Sequence, residues 1–176
     1  MATTWKLDPT HSEVAFKVKH LVITTVTGYF RSFDGTVVTD DETDFTTGKV
    51  DFSIDTTSID TNQSQRDEHL KSADFFNAQQ YPQITFTSTS IEGKGSDEFL
   101  LNGDLTVGNV TKPVTFKVEF GGTVMDPYGN FKAGFEVSGK ISRKEFGLTW
   151  SAVTEAGAVV VSDEVKIQAS VQFVKQ

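Results

Sequence analysis

Apolar and polar residues alternate along most of this chain. In Ser12 to His20, the residues Val14, Phe16, Val18 and His20 share one face, while Glu13, Lys17 and Lys19 share the other with the small Ala15. A period of two is the mark of a strand with one buried face. The same period recurs at Val50, Phe52 and Ile54, at Val114, Phe116, Val118 and Phe120, and from Phe131 through Ala133, Phe135, Val137 and Gly139 to Ile141. It returns at Val165, Ile167, Ala169, Val171 and Phe173. Weaker alternation covers Gly28 to Val38, Pro82 to Ile91 and Glu98 to Val107. About eight strands at such intervals predict an all-β sandwich or barrel. Polar and glycine-bearing clusters at Asp40 to Asp44, Gly93 to Ser96 and Asp126 to Asn130 supply the connections. Asn102-Gly103 has the letters of a tight hairpin turn, but a turn there would cut a good strand in two, so the glycine is expected to mark a bend or bulge.

One stretch breaks the pattern. Between residues 64 and 76, Ser64 and Asp67 have the spacing of a helix N-terminal capping pair, and Arg66, His69 and Leu70 fall on one helical face. Ser72 is placed to open a second short turn carrying Phe75 and Phe76. The segment reads as a short helical insert, a plug or lid over one barrel end.

Composition narrows the picture. The 176 residues suit one domain, and 15 Phe with abundant Val and Thr favour strands over helices. The absence of cysteine excludes disulfides, thiolate metal sites and a cysteine nucleophile. No apolar run reaches the roughly 20 residues of a helical membrane span, so no stable membrane insertion is expected. With 16 basic and 24 acidic residues the net charge is −8, which repels nucleic acid and anionic surfaces. Met1 to Trp5 lacks the basic and apolar regions of a signal peptide, so a cytoplasmic location is expected as written, and a periplasmic one if a leader has been removed.

Closing an eight-stranded sheet removes both exposed edges and leaves an interior that either packs itself or holds one small ligand. Periodicity alone favours the packed interior. Asp8-Pro9-Thr10-His11-Ser12, Phe16 to Leu21, Gly28-Tyr29-Phe30 with Phe33 and Gly35, and Ser58-Ile59-Asp60-Thr61 stand in one order with Arg66 to Leu70, Asp74-Phe75-Phe76 and Tyr81-Pro82. Gly103 to Thr106, Thr111 to Val114 and Arg143 to Leu148 complete the series. With these motifs the chain resembles, nearly end to end, the YceI-like family of bacterial polyisoprenoid-binding proteins. The resemblance implies an extended, eight-stranded antiparallel lipocalin-like β-barrel whose cavity holds a long isoprenoid tail, such as a polyprenyl phosphate, a polyprenyl pyrophosphate or the side chain of a quinone. Export to the periplasm and a homodimer are further implications.

On that reading the pocket wall comprises Phe16, Val18, His20, Phe30 and Phe33, the insert residues Leu70, Phe75 and Phe76, and Phe86, Phe116 and Phe135. Arg66 and His69 are the head-group candidates. A guanidinium can hold a phosphate through two parallel hydrogen bonds. The competing role for Arg66 is an ion pair with Asp67, Asp60 or Asp74 that pins the insert. His20 would lie inside, His11 in a turn, and no spacing among His11, His20 and His69 supports a metal site. Catalysis is not expected, because no nucleophile motif or glycine-rich phosphate loop is present. No cofactor is implied beyond the lipid itself. The alternatives are a stress-linked interaction module with a filled barrel and, behind it, an enzyme acting on a prenyl substrate through His20 or His69.

Overall fold

The computed structural model describes residues 2–21, 23–149 and 161–176. Their strands form one antiparallel sheet that closes on itself. The chain runs through β1 (Thr3–Leu7), β2 (Glu13–His20), β3 (Thr24–Phe30), β4 (Phe33–Thr39), β5 (Lys49–Asp55) and the two-residue β6 (Ile59–Asp60). Helix α1 (Ser64–Lys71) follows, then β7 (Gln83–Gly93), β8 (Glu98–Val107), β9 (Val110–Met125), β10 (Phe131–Ser142) and β11 (Glu164–Lys175).

The strand count reduces to eight staves because three staves are broken at corners. β1 and β2 both pair with β11, separated by a 3-10 turn at Pro9–His11. β4 pairs with β1 and β3 pairs with β2, so the alternation from Gly28 to Val38 spans two strands rather than one. The corner lies at Arg31 and Ser32, where Ser58 O accepts from the Arg31 amide at 3.1 Å and Ser32 O accepts from the Asp55 amide at 3.0 Å. β5 and β6 are divided in the same way by a 3-10 turn at Thr56–Ser58. Each stave neighbours the next in sequence, and β11 returns to β1 and β2 to close the barrel. Closure gives every stave a neighbour on each side along at least part of its length, which limits the edge open to association.

Gly103 lies inside β8, as strand continuity required, and β7 bulges opposite it between Ser88 and Ser90. A methyl group at Gly103 would come within 2.4 Å of the Phe86 ring and 2.5 Å of the Thr87 carbonyl oxygen. Pairing is one-sided along parts of the wall, as at Thr24–Gly28 of β3 and beyond Thr87 of β7. β9 and β10 pair only as far as Lys117 and Ser138, so Val110 to Phe116 bond to β8 alone and Gly139 to Ser142 to β11 alone.

The helical insert is shorter than expected. Gln63, not Ser64, is the N-cap, and its side-chain oxygen accepts from the Arg66 amide at 2.5 Å. Asp67 turns back instead and accepts from the Thr61 amide at 2.9 Å and the Thr61 hydroxyl at 2.5 Å. That use of Asp67 follows from the tight entry out of β6, where Asn62 takes a left-handed conformation with φ 67°. After Lys71 the chain passes through turns in which the amide of Phe75 donates to Ser72 O and that of Phe76 to Leu70 O.

Candidate functional site

The interior is not solid, contrary to the packed core that periodicity alone favours. A cavity of about 430 Å³ occupies the barrel and reaches the end that carries α1, the turn after β10 and the end of β2. Its size falls within the range of sites that hold small ligands. The opposite end is closed by Trp5, Leu7, Phe45, Ala133 and Phe173, with Trp5 and Ala133 fully buried.

The alternating strands aim their side chains at this space as their register requires. Phe16, Val18 and His20 line it from β2 and Phe30 from β3. Phe86, Phe116 and Phe135 line it from β7, β9 and β10, and Leu70, Phe75 and Phe76 cover it from the insert. Phe33 does not line it. It shares the inner face of β4 with Gly35 and Val37 and packs against the core, but its ring stacks on Phe52, centroids 6.0 Å apart, and Phe52 lines the space instead.

Glycines on neighbouring strands decide how these rings lie. A methyl group on Gly28 would sit 2.2 Å from the Phe16 ring, and one on Gly139 would sit 2.5 Å from the Phe116 ring. Each ring therefore lies flat against bare backbone of the next strand. Phe rings spread over the wall in this way leave the barrel axis open.

The polar lining is confined to Lys19, His20, Thr61, Arg66, His69 and Arg143, and no carboxylate joins them among the described residues. Arg66 is half-buried and donates from Nε to Thr61 Oγ1 at 2.7 Å and from Nη2 to Thr61 O at 2.5 Å. The acids expected to pair with it are engaged elsewhere. Asp60 accepts from Arg31 at 3.1 Å, Asp74 meets His69 Nε2 at 2.9 Å, and Asp67 holds Thr61. The His69 ring also stands edge-on to Phe75 at 5.2 Å.

Arg143 and Lys19 were not anticipated as lining residues. Arg143 is 3% exposed and donates to the carbonyls of Ser162 at 2.9 Å and Leu148 at 2.6 Å, tying together the two flanks of this rim. Burial pushes its guanidinium below the ordinary arginine value, and the charge of Asp163 opposes that shift. The signal available in the sequence was an arginine within Arg143 to Leu148, a segment that turns sharply at Gly147 with φ 80°. Lys19 belongs by alternation to the outer face. It stands at the end of β2, beside His20, and borders the rim there.

His11 is remote in role from this site. It sits in the 3-10 turn at Pro9–His11, where Asp8 Oδ2 meets its Nδ1 at 2.8 Å. Asp8 also accepts from Lys132 Nζ at 2.9 Å. Its carboxyl is held far below the usual value by the Thr10 hydroxyl first, then by Lys132 and His11, against the opposing cost of burial. Among the described residues no group of three metal-ligating side chains converges.

Comparison with known proteins agrees with this architecture. The model of the YceI-like domain matches residues 5–173. Protein YceI of Escherichia coli O157:H7 is 44% identical over 178 aligned positions, covering 100% of this chain and 89% of the relative. Protein YceI of Salmonella newport is 43% identical with the same coverage. The YceI protein of Campylobacter jejuni superposes with a TM-score of 0.77 at 31% identity, over 90% of each chain. BcnA of Burkholderia cenocepacia shares the fold with a TM-score of 0.82 at 24% identity, covering 94% of this chain and 98% of that one. A polyisoprenoid-binding domain from Saccharophagus degradans, 16% identical, shares it with a TM-score of 0.67 over 98% of both chains. A closed eight-stranded barrel with a single short helix among its described residues, matched from residue 5 to residue 173, places this chain in the YceI-like family.

Proposed function

We propose that the chain binds a long-chain isoprenoid lipid, a polyprenyl phosphate or pyrophosphate or the prenyl tail of a quinone, and shelters it for storage or transport. The observation that carries this reading is the cavity itself, apolar along its depth, floored by aromatic rings and polar only at one rim. Each methylene moved from water into such a space contributes about 0.8 kcal/mol, so a prenyl tail needs no strong polar anchor. Membership of the YceI-like family and the likeness to a polyisoprenoid-binding domain support a binding role over a catalytic one. The cavity counts against the alternative of an interaction module with a filled barrel.

The test is organic extraction of the natively purified protein followed by mass spectrometry. A prenyl lipid recovered in stoichiometric amount, unchanged after incubation with the protein, is the expected result. Recovery of no lipid, together with failure of added polyprenyl phosphate and quinone to bind, would overturn the reading.

A further inference from the structure

Resting on the isoprenoid reading above, we propose that the cavity mouth selects an anionic head group, a phosphate ester on the prenyl tail, over a neutral one. The chain carries 24 acidic residues against 16 basic ones, so a rim drawn without bias would be mostly acidic. The rim is the reverse. Lys19 comes from the end of β2, Arg66 and His69 from α1, and Arg143 from the turn after β10, and all converge on one end of the cavity. No Asp or Glu lines the cavity with them among the described residues.

The acids nearby stand one layer back and orient the bases. Asp67 holds Thr61, and Thr61 in turn fixes two nitrogens of the Arg66 guanidinium. Asp74 holds His69 through Nε2, and Asp163 acts on Arg143 from beyond Ser142, whose hydroxyl it accepts at 2.5 Å. Arg66 Nη1 and the Lys19 amine have no hydrogen-bond or ion-pair partner among the described residues. Several other cations of the chain are paired, as Arg31 is with Asp60 and Lys132 with Asp8.

A phosphate at this rim would meet a fixed guanidinium and a mobile ammonium beside low-dielectric walls, where charge interactions are stronger than in water. A neutral head group seated in the same place would shield those cations from water and return little, which is the source of the discrimination. The overall negative charge does not oppose this, since the selection is made at contact distance and distant charges are screened by salt.

The experiment compares two ligands with one tail. Geranylgeranyl phosphate and geranylgeraniol each displace an apolar fluorescent dye from the full-length chain. The phosphate is expected to bind at least about tenfold tighter, a difference within reach of one or two charge-assisted hydrogen bonds. In Arg66→Gln that ratio falls toward unity. Because Arg66 also holds Thr61, Lys19→Gln supplies a second variant with no structural bond to lose, and it narrows the ratio to a smaller extent. Equal affinity for the two ligands in the unmodified chain overturns the head-group inference and leaves the tail-binding reading intact. An unchanged ratio in both variants overturns the assignment to these side chains. Failure of both ligands to displace the dye overturns the isoprenoid reading, and this inference with it.

Discussion

The two ends of the barrel use one residue type to opposite effect. At the closed end, rings meet rings. Trp5 stands 5.3 Å from Phe45, and Phe45 lies 5.2 Å from both Phe120 and Phe135. Trp5 Nε1 is satisfied inside by Thr39 Oγ1 at 3.2 Å. At the end beneath α1, Phe16 and Phe116 lie over the bare backbone of Gly28 and Gly139, and the axis stays empty. Phenylalanine content therefore does not determine whether a barrel is solid. What lies across the strand from each ring does. Ring pairs occur at the open end too, Phe16 with Phe30 and Phe86 with Phe116 at 5.5 Å each, so the glycines opposite Phe16 and Phe116 are what set that end apart.

The contrast breaks first at the plug. Trp5→Ala is expected to cost about 3–5 kcal/mol, as for buried aromatic truncations in packed cores. Phe116→Ala should cost clearly less, because its ring borders existing space. Denaturant melts with a shared slope measure both, and equal losses would mean that the two ends are packed alike. Next in size is Gly139→Ala, which drives the Phe116 ring into the lumen. It should lose about 1–3 kcal/mol as overpacking and should also lower the affinity for prenyl ligands. Stability lost without any change in ligand affinity would show that the ring yields elsewhere.

Thr39→Val sharpens the closed end by leaving the Trp5 indole N–H without its acceptor. A loss of about 1–3 kcal/mol is expected in the same melts, with lipid binding unchanged. The smallest effect concerns the outer clasp of Asp8, Lys132 and Asp126. The Asp8 carboxyl is depressed in the fold, so its contribution is complete above the ordinary value of 3.8 and fades as pH falls below it. Asp8→Asn should flatten the acid limb of the stability curve by about 1 kcal/mol at neutral pH, near the typical worth of an N-cap. An acid limb identical to that of the unmodified chain would remove the clasp from the account.

Much of this was legible in the residues. Alternation placed the strands and rejected the turn at Gly103, because a period of two is dictated by backbone geometry. It also placed the inward set from Phe16 to Phe135, of which Phe33 packs into the core without lining the cavity. The corner at Arg31 and Ser32 was not legible, since it depends on hydrogen bonds to Ser58 and Asp55 across the sheet. The same holds for the N-cap. Ser64 and Asp67 have the right spacing, but Asp67 is taken by Thr61, a contact set by the path from β6. Arg143 and Lys19 escaped notice because a rim is assembled by closure, which joins segments more than a hundred residues apart. The pairing of Phe16 with Gly28 is a matter of register, and register becomes visible only when the strands are laid side by side.

The aromatic floor around Phe45 and Phe173 gives the molecule a graduated depth. Both residues line the cavity and belong to the closed end. On the proposed reading, a tail entering beneath α1 would stop against them rather than thread through. Were a head group held at the rim as proposed, the distance from rim to floor would act as a ruler. Chains up to that length would then be swallowed whole, and longer ones would fold back or leave carbon in water, at about 0.8 kcal/mol for each methylene stranded outside.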